Sequence, residues 1–137
     1  MKRILFILTA AALLLEISAC RRVSFGIVDG VYSGTFLVTY PVPYDTTITG
    51  PVSVSLENGL YTSTGNDNYV PASATGSFTF DTDSIYFRDS SFHTSNFDWN
   101  LILHGNYAYS LEDNELTFWK TRQGNPAPVY EYRLERD

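Results

Sequence analysis

One cysteine, Cys20, occurs in the 137 residues, so no disulfide can form within the chain and no thiolate cluster can hold zinc. Histidine is nearly as scarce, with His93 and His104 alone, which leaves little for a metal centre or a proton relay. No apolar run reaches the roughly 20 residues that a membrane-crossing helix needs. The mainly apolar run at residues 4–15 spans 12 positions and is cut by Glu16. Cations are also few: from Asp29 onward Arg88, Lys120, Arg122, Arg133 and Arg136 face 14 carboxylates, a net charge of −9. Such a body repels nucleic acid and bare anionic membrane, and DNA or RNA binding is excluded as a reading.

What is present begins with a leader. Lys2 and Arg3 precede the apolar run, and Ile17-Ser18-Ala19-Cys20 follows it, the layout of a secretion signal with small residues before its cut site. The four residues Ile17 to Cys20 resemble the lipobox of bacterial lipoproteins. That resemblance implies cleavage before Cys20 and acylation of its thiol and new amine. Several acyl chains make a lasting anchor where one would be marginal. The expected organisation is a signal peptide over 1–19, a lipidated tether over 20–28 and one β-domain over 29–137. Arg21 and Arg22 would lie beside the anionic headgroups. A secreted domain without disulfides must rely on its core, and a chain of this size has room for one modest core.

From Gly30 the composition is that of strands: Val, Ile, Thr, Tyr and Phe in short runs, cut by Gly, Asn, Asp and Pro. Alternation predicts which side chains point inward. Tyr32, Phe36, Val38 and Tyr40 share one parity, as do Ile48, Val52, Val54 and Leu56. Phe78 and Phe80, Ile85 and Phe87, then Trp99, Leu101, Leu103, Tyr107, Tyr109 and Leu111 continue the pattern. Leu116 with Phe118, and Tyr130, Tyr132 and Leu134, complete it. One buried and one wet face per strand is the signature of an antiparallel sheet.

Tight turns are expected at Asn58-Gly59, at 81–84 and at 112–115, each rich in Gly, Asn and Asp. Longer connections lie between them, at Pro41 to Thr46, Gly65 to Ala74, Asp89 to Asp98 and Arg122 to Pro128. In an up-and-down meander successive connections fall at opposite ends, so the long loops gather at one end and the hairpins at the other. The tether then joins the hairpin end, and the long loops face away from the membrane. About eight strands of consistent parity predict an all-β fold, a small closed barrel that removes exposed strand edges. A two-layer β-sandwich is the alternative.

The stretch from Asp98 to Leu111, the early Gly30-x-Tyr32-x-Gly34-x-Phe36 and the closing Tyr130-Glu131-Tyr132-Arg133-Leu134 resemble small lipocalin-like lipoproteins of Gram-negative anaerobes. The similarity covers most of the chain after Cys20 and specifies strands and turns rather than chemistry. It implies a β-barrel on a lipid anchor, with no settled activity. True lipocalins are similar in architecture alone, for Gly30-Val31-Tyr32 stands where they carry Gly-x-Trp.

Chemistry is hard to find in this pattern. His93, with Asp89 and Asp98 in the same loop, is the one conceivable metal or hydrolase constellation, but it lacks any recognised ligand spacing. Asp81 and Asp83 suit a hairpin for their own backbone hydrogen bonds. None of the inward positions named is a carboxylate, so paired-carboxylate hydrolysis has no visible home, and no metal, cofactor or catalytic residue is assigned. Six inward tyrosines are many for a dry core, since each phenol seeks a partner. They fill a narrow barrel or line a cup; in the second case Tyr40, Trp99, Tyr107, Tyr109 and Tyr130 form its wall around a mainly apolar guest. The long loops give a second candidate, a rim of Tyr44, Tyr69, Phe92 and Phe97 among amides, suited to a protein or glycan. The expectation is a monomeric, non-catalytic binding protein of the cell envelope, lipid-anchored at Cys20. Surface-exported lipoproteins of the bacteria that the resemblance suggests often carry an acidic run after the cysteine, and Arg21-Arg22-Val23-Ser24-Phe25 has none. Attachment to the outer membrane, facing the periplasm, follows.

Overall fold

The computed structural model describes residues 26–27, 29–123 and 126–137; Cys20, the leader and most of the expected tether lie outside these. Eight antiparallel strands follow in order: β1 (Gly30–Tyr40), β2 (Thr46–Glu57), β3 (Leu60–Thr64), β4 (Ala74–Phe80), β5 (Ser84–Asp89), β6 (Gly105–Glu112), β7 (Glu115–Thr121) and β8 (Val129–Arg136). Each pairs with the next, and β8 returns to β1, where Gly34 faces Leu134 and Val38 faces Tyr130. The fold is therefore a closed up-and-down barrel, the architecture of a small lipocalin-like domain, and not a two-layer sandwich. Because both edges of the sheet are paired within 30–136, a chain starting at Gly26 contains the whole hydrogen-bonded barrel.

The turn chemistry operates as the residue types require. Asn58 and Gly59 both adopt positive φ, 51° and 76°, and so make the primed two-residue turn that matches strand twist. Asp81 accepts from the backbone N–H of Asp83 and of Ser84, at 3.2 and 3.0 Å, and that keeps its carboxyl below the ordinary carboxylate range. A barrel this narrow must also coil its strands tightly. At Gly34 an added Cβ would lie 2.0 Å from the Arg133 carbonyl oxygen, and at Gly76 2.0 Å from that of Arg88. Only glycine leaves room for the neighbouring strand at these points.

Inward parity becomes an aromatic core. Tyr132 stacks on Phe118 with ring centroids 4.6 Å apart and tilts against Phe36 at 4.6 Å. Phe118 in turn meets Phe87 at 5.3 Å, and Phe87 meets Tyr61 at 5.0 Å. These five rings are almost wholly buried, so the barrel axis is occupied by side chains. Among the described residues Ile27, inside the segment expected to be tether, is already buried in the packed body, and Asp29 is bound at the hairpin end. Its carboxylate accepts from Asn58 N–H at 2.9 Å, and its carbonyl accepts from Arg136 at 2.9 Å.

Some elements differ from the sequence pattern. The third long connection runs from Ser90 to His104, six residues further than expected at its far end. Trp99, Leu101 and Leu103 do not form a strand: Trp99–Leu101 is a single 3₁₀ turn, because Asp98 caps it by accepting the Asn100 N–H at 2.9 Å. Ile102, which has outward parity, is buried together with Leu103 beneath this turn. At strand ends parity overstates burial, and Ile48 and Phe80 are 41% and 43% exposed.

Candidate functional site: the long-loop end

Two of the long connections interlock. Ala72 N–H donates to the Leu101 carbonyl at 3.1 Å, which ties the β3–β4 loop to the 3₁₀ turn. Asn66 braces its own loop, accepting from the N–H groups of Asn68 (3.0 Å) and Val70 (3.2 Å) while its amide donates to the Val70 carbonyl. The left-handed φ of Tyr69, 57°, turns its ring outward onto Phe97, where the two stack at 4.6 Å and 5°.

The β5–β6 loop supplies the rest. His93 is tucked inward, its Nε2 2.7 Å from Asp89 Oδ2, and Asp89 Oδ1 accepts the Ser91 N–H at 3.1 Å. Rings pack around this pair, Phe97 at 6.0 Å and Trp99 at 6.2 Å from the imidazole. The Trp99 indole N–H donates to the Thr94 carbonyl at 3.0 Å, so the ring is held in place although it is 57% exposed. Phe92, next to half-buried His93, is 95% exposed. With Trp99 and Tyr69 it leaves three exposed aromatic rings on these two loops at this end of the barrel.

Phe92 and His93 form a ridge between two clefts. One, of about 360 Å³, is lined by Asp89, Ser91, Phe92, Trp99, Ile102 and His104 as well as His93. The other, of about 260 Å³, lies against Asn66, Tyr69, Ala72, Thr94 and Phe97. The larger falls within the size range of small-molecule sites and combines apolar walls with a few polar groups.

The residues expected to line an internal cup are dispersed. Tyr107 and Tyr130 are 1% exposed and belong to the filled core. Tyr109 lies at the opposite end, its hydroxyl donating to the Asp81 carbonyl at 2.7 Å in the β4–β5 hairpin, so it cannot wall a loop-end mouth. Tyr40 is partly buried against the core at the loop end. Trp99 belongs to the external cleft rather than to the barrel wall. Of the expected rim, Tyr69, Phe92 and Phe97 come together, whereas Tyr44 sits apart, 71% exposed on a turn where its N–H meets the Pro41 carbonyl at 3.2 Å. Asp98 caps the 3₁₀ turn instead of joining Asp89 and His93. Among the described residues no group of three His, Cys, Asp or Glu side chains is placed to hold a metal.

Two inward residues escape composition-based reading. Tyr61 on β3 donates its hydroxyl to the Leu103 carbonyl at 2.6 Å and so pins the buried end of the β5–β6 loop. Lys120 on β7 has the parity of Leu116 and Phe118 and therefore points into the barrel mouth. Its Nζ donates to the His104 carbonyl at 2.7 Å and lies 4.6 Å from the Tyr107 ring centroid. Burial pulls its pKa down to about 8, against an opposing pull from Asp98. The parity 116–118–120 was the available signal in both strand and sequence.

No known protein family, curated protein or solved structure matches this chain.

Proposed function

We propose that this chain is a lipid-anchored binding protein of the bacterial cell envelope, non-catalytic, that receives a small, mainly apolar ligand at its long-loop end. The observation that carries the reading is the 360 Å³ cleft of Phe92, Trp99 and Ile102 beside the Asp89–His93 pair, above a barrel interior already occupied by rings. The cleft replaces the internal cup as the receiving site. Its indole is pre-positioned by the bond to Thr94, which lowers the ordering cost of binding. The His93 side chain has its one hydrogen bond to Asp89 among the described residues, with no hydroxyl nucleophile bonded to it. Anchoring through Cys20 to the outer membrane, on the periplasmic side, agrees with a chain that joins the barrel at the hairpin end, at Asp29, and leaves the loops pointing away.

Residues 26–137 titrated with the apolar fluorophore N-phenyl-1-naphthylamine provide the test. Binding should quench Trp99 in a Trp119→Phe background, and Phe92→Ala and Trp99→Ala should each weaken it about tenfold, the range of a lost aromatic contact. Unchanged affinity in both variants refutes the cleft. A second reading is favoured by the flat Tyr69–Phe97 stack beside exposed Phe92: a platform for a glycan ring or a protein partner at the same end. Protease treatment of intact cells tests the side of the membrane, and digestion there overturns the periplasmic placement.

A further inference from the structure

We propose that the loop-end mouth of the barrel carries an anion subsite, built by Lys120 with Tyr130 and Arg122, that takes the carboxylate of a small apolar acid. The inference rests on the loop end being the binding end and adds the charge of the ligand. Lys120 sits opposite Tyr130 in the β7–β8 register, with its Nζ 5.8 Å from that ring and 4.6 Å from the Tyr107 ring. An ammonium has three N–H donors, and the His104 carbonyl at 2.7 Å takes one of them. Among the described residues the ion pairs are His93–Asp89 and Arg133–Glu131, so no carboxylate lies within 4.0 Å of Lys120. Arg136 is committed to the Asp29 carbonyl and Arg133 to Glu131. The half-buried lysine is thus a cation held in an aromatic collar without a counter-ion, an arrangement that costs stability and marks functional sites.

A second observation lies just below it. The hydroxyl of Tyr107, the ring under the ammonium, is fully buried with the His104 backbone as its polar neighbour, and the buried hydroxyl of Tyr132 beside it has no hydrogen-bond partner. At the rim Arg122 hydrogen-bonds toward the Tyr130 phenol, with Tyr40 close by. The charged and titratable groups facing Lys120 are therefore Asp98 from the loop, His104 at its carbonyl, Tyr107 from β6, Tyr130 from β8, Tyr40 from β1 and Arg122 at its own strand end. Asp98 is the one anion among them, and it acts from beyond contact. Lys120 is the half-buried cation and Arg122 is exposed at the rim, so one desolvated positive charge matches one carboxylate, whereas a phosphate dianion would have to shed water from two negative charges against it.

Lys2 and Lys120 are the two lysines of the chain, so residues 26–137 labelled with ¹³Cε-lysine report Lys120 as a single resonance. Decanoate, decanol and acetate are the probes. Decanoate should raise the midpoint of that resonance by about one pH unit or more, the linkage of a tenfold preference for the charged amine, and decanol should not. Decanoate affinity should fall about tenfold from pH 7 to pH 10. Lys120→Met should reduce it to that of decanol and remove the pH dependence, while Lys120→Arg should retain decanoate binding at pH 10. Acetate should move the midpoint in the same direction as decanoate. A midpoint that decanoate leaves in place, or a folded Lys120→Met protein that binds decanoate as the parent does, overturns the subsite. Decanol binding that depends on Phe92 and Trp99 without any decanoate response at Lys120 leaves the cleft standing and sinks the subsite. A Lys120 response insensitive to Phe92→Ala and Trp99→Ala does the reverse.

Discussion

Replacing Phe87 by alanine discriminates between a filled barrel and a hollow one. Phe87 has no solvent exposure and meets four rings, Tyr61 at 5.0 Å, Phe118 at 5.3 Å, Tyr107 at 5.8 Å and Phe78 at 6.2 Å. In a packed interior Phe87→Ala loses both the transfer energy of the ring and the contacts of everything around the void, about 4 kcal/mol. In a cup the lost ring would merely enlarge existing space, and the cost would shrink toward the transfer term, about 2 kcal/mol. A domain of this size holds some 5–15 kcal/mol in all, so the variant should still fold, with a melting point lower by about 15 °C. Urea unfolding of residues 26–137 at unchanged slope measures the difference. The new void should also stay dry and accept benzene, which the parent should not. A cost of about 2 kcal/mol or less, or benzene uptake by the parent, would falsify the packed-core argument and return the ligand to the barrel interior.

Two further expectations come from the buried phenols and the buried amine. Tyr132→Phe deletes a hydroxyl that has no partner and should stabilise the barrel by about 1 kcal/mol, whereas Tyr61→Phe strands the Leu103 carbonyl and should cost about 1–2 kcal/mol; urea midpoints read both. Lys120 is lowered to about 8 by burial, so between that pH and its unfolded value the unfolded chain binds more protons and stability rises with pH. Burial raises the phenols of Tyr61, Tyr107 and Tyr132, so above about pH 10 the unfolded chain loses protons that the folded one keeps, and stability falls. Chemical denaturation from pH 7 to 11 should show a maximum between these limits, with a rise of about 1–2 kcal/mol that disappears in Lys120→Met.

The barrel was readable because its signals are local and period two. Asn58-Gly59 sets a turn type, and the alternation in Tyr32, Phe36 and Val38 sets a face, each without reference to distant residues. Parity, however, gives a face and not a height. Tyr107 and Tyr109 share the inward side, yet two residues shift the chain about 7 Å along the barrel, and that moves Tyr109 to the hairpin end. Trp99 to Leu103 alternates like a strand, and the capping by Asp98 overrides it because a side-chain acceptor at that position satisfies the Asn100 N–H of a helical turn. Lys120 was overlooked for the opposite reason: its charge draws it into a tally of surface groups, when its position two residues beyond Phe118 places it inside.

These particulars constrain where recognition can occur. A narrow barrel must choose between stability and an internal chamber, and the chain of rings from Phe36 to Tyr61 occupies the chamber. At the hairpin end the loops are two or three residues long and spend their polar groups on their own turns, as Asp81 does with Ser84. Only the opposite end has chain to spare, and there exposed rings sit on braced loops: the Trp99 indole is held by Thr94, the Tyr69 backbone by Asn66, and Phe92 adjoins the Asp89–His93 pair. Rigid backbone under exposed rings is what low-entropy recognition requires, and a cation in the adjacent mouth adds selectivity by charge. The packed core and the proposed binding end are thus consequences of one choice, the filling of the barrel with tyrosine and phenylalanine.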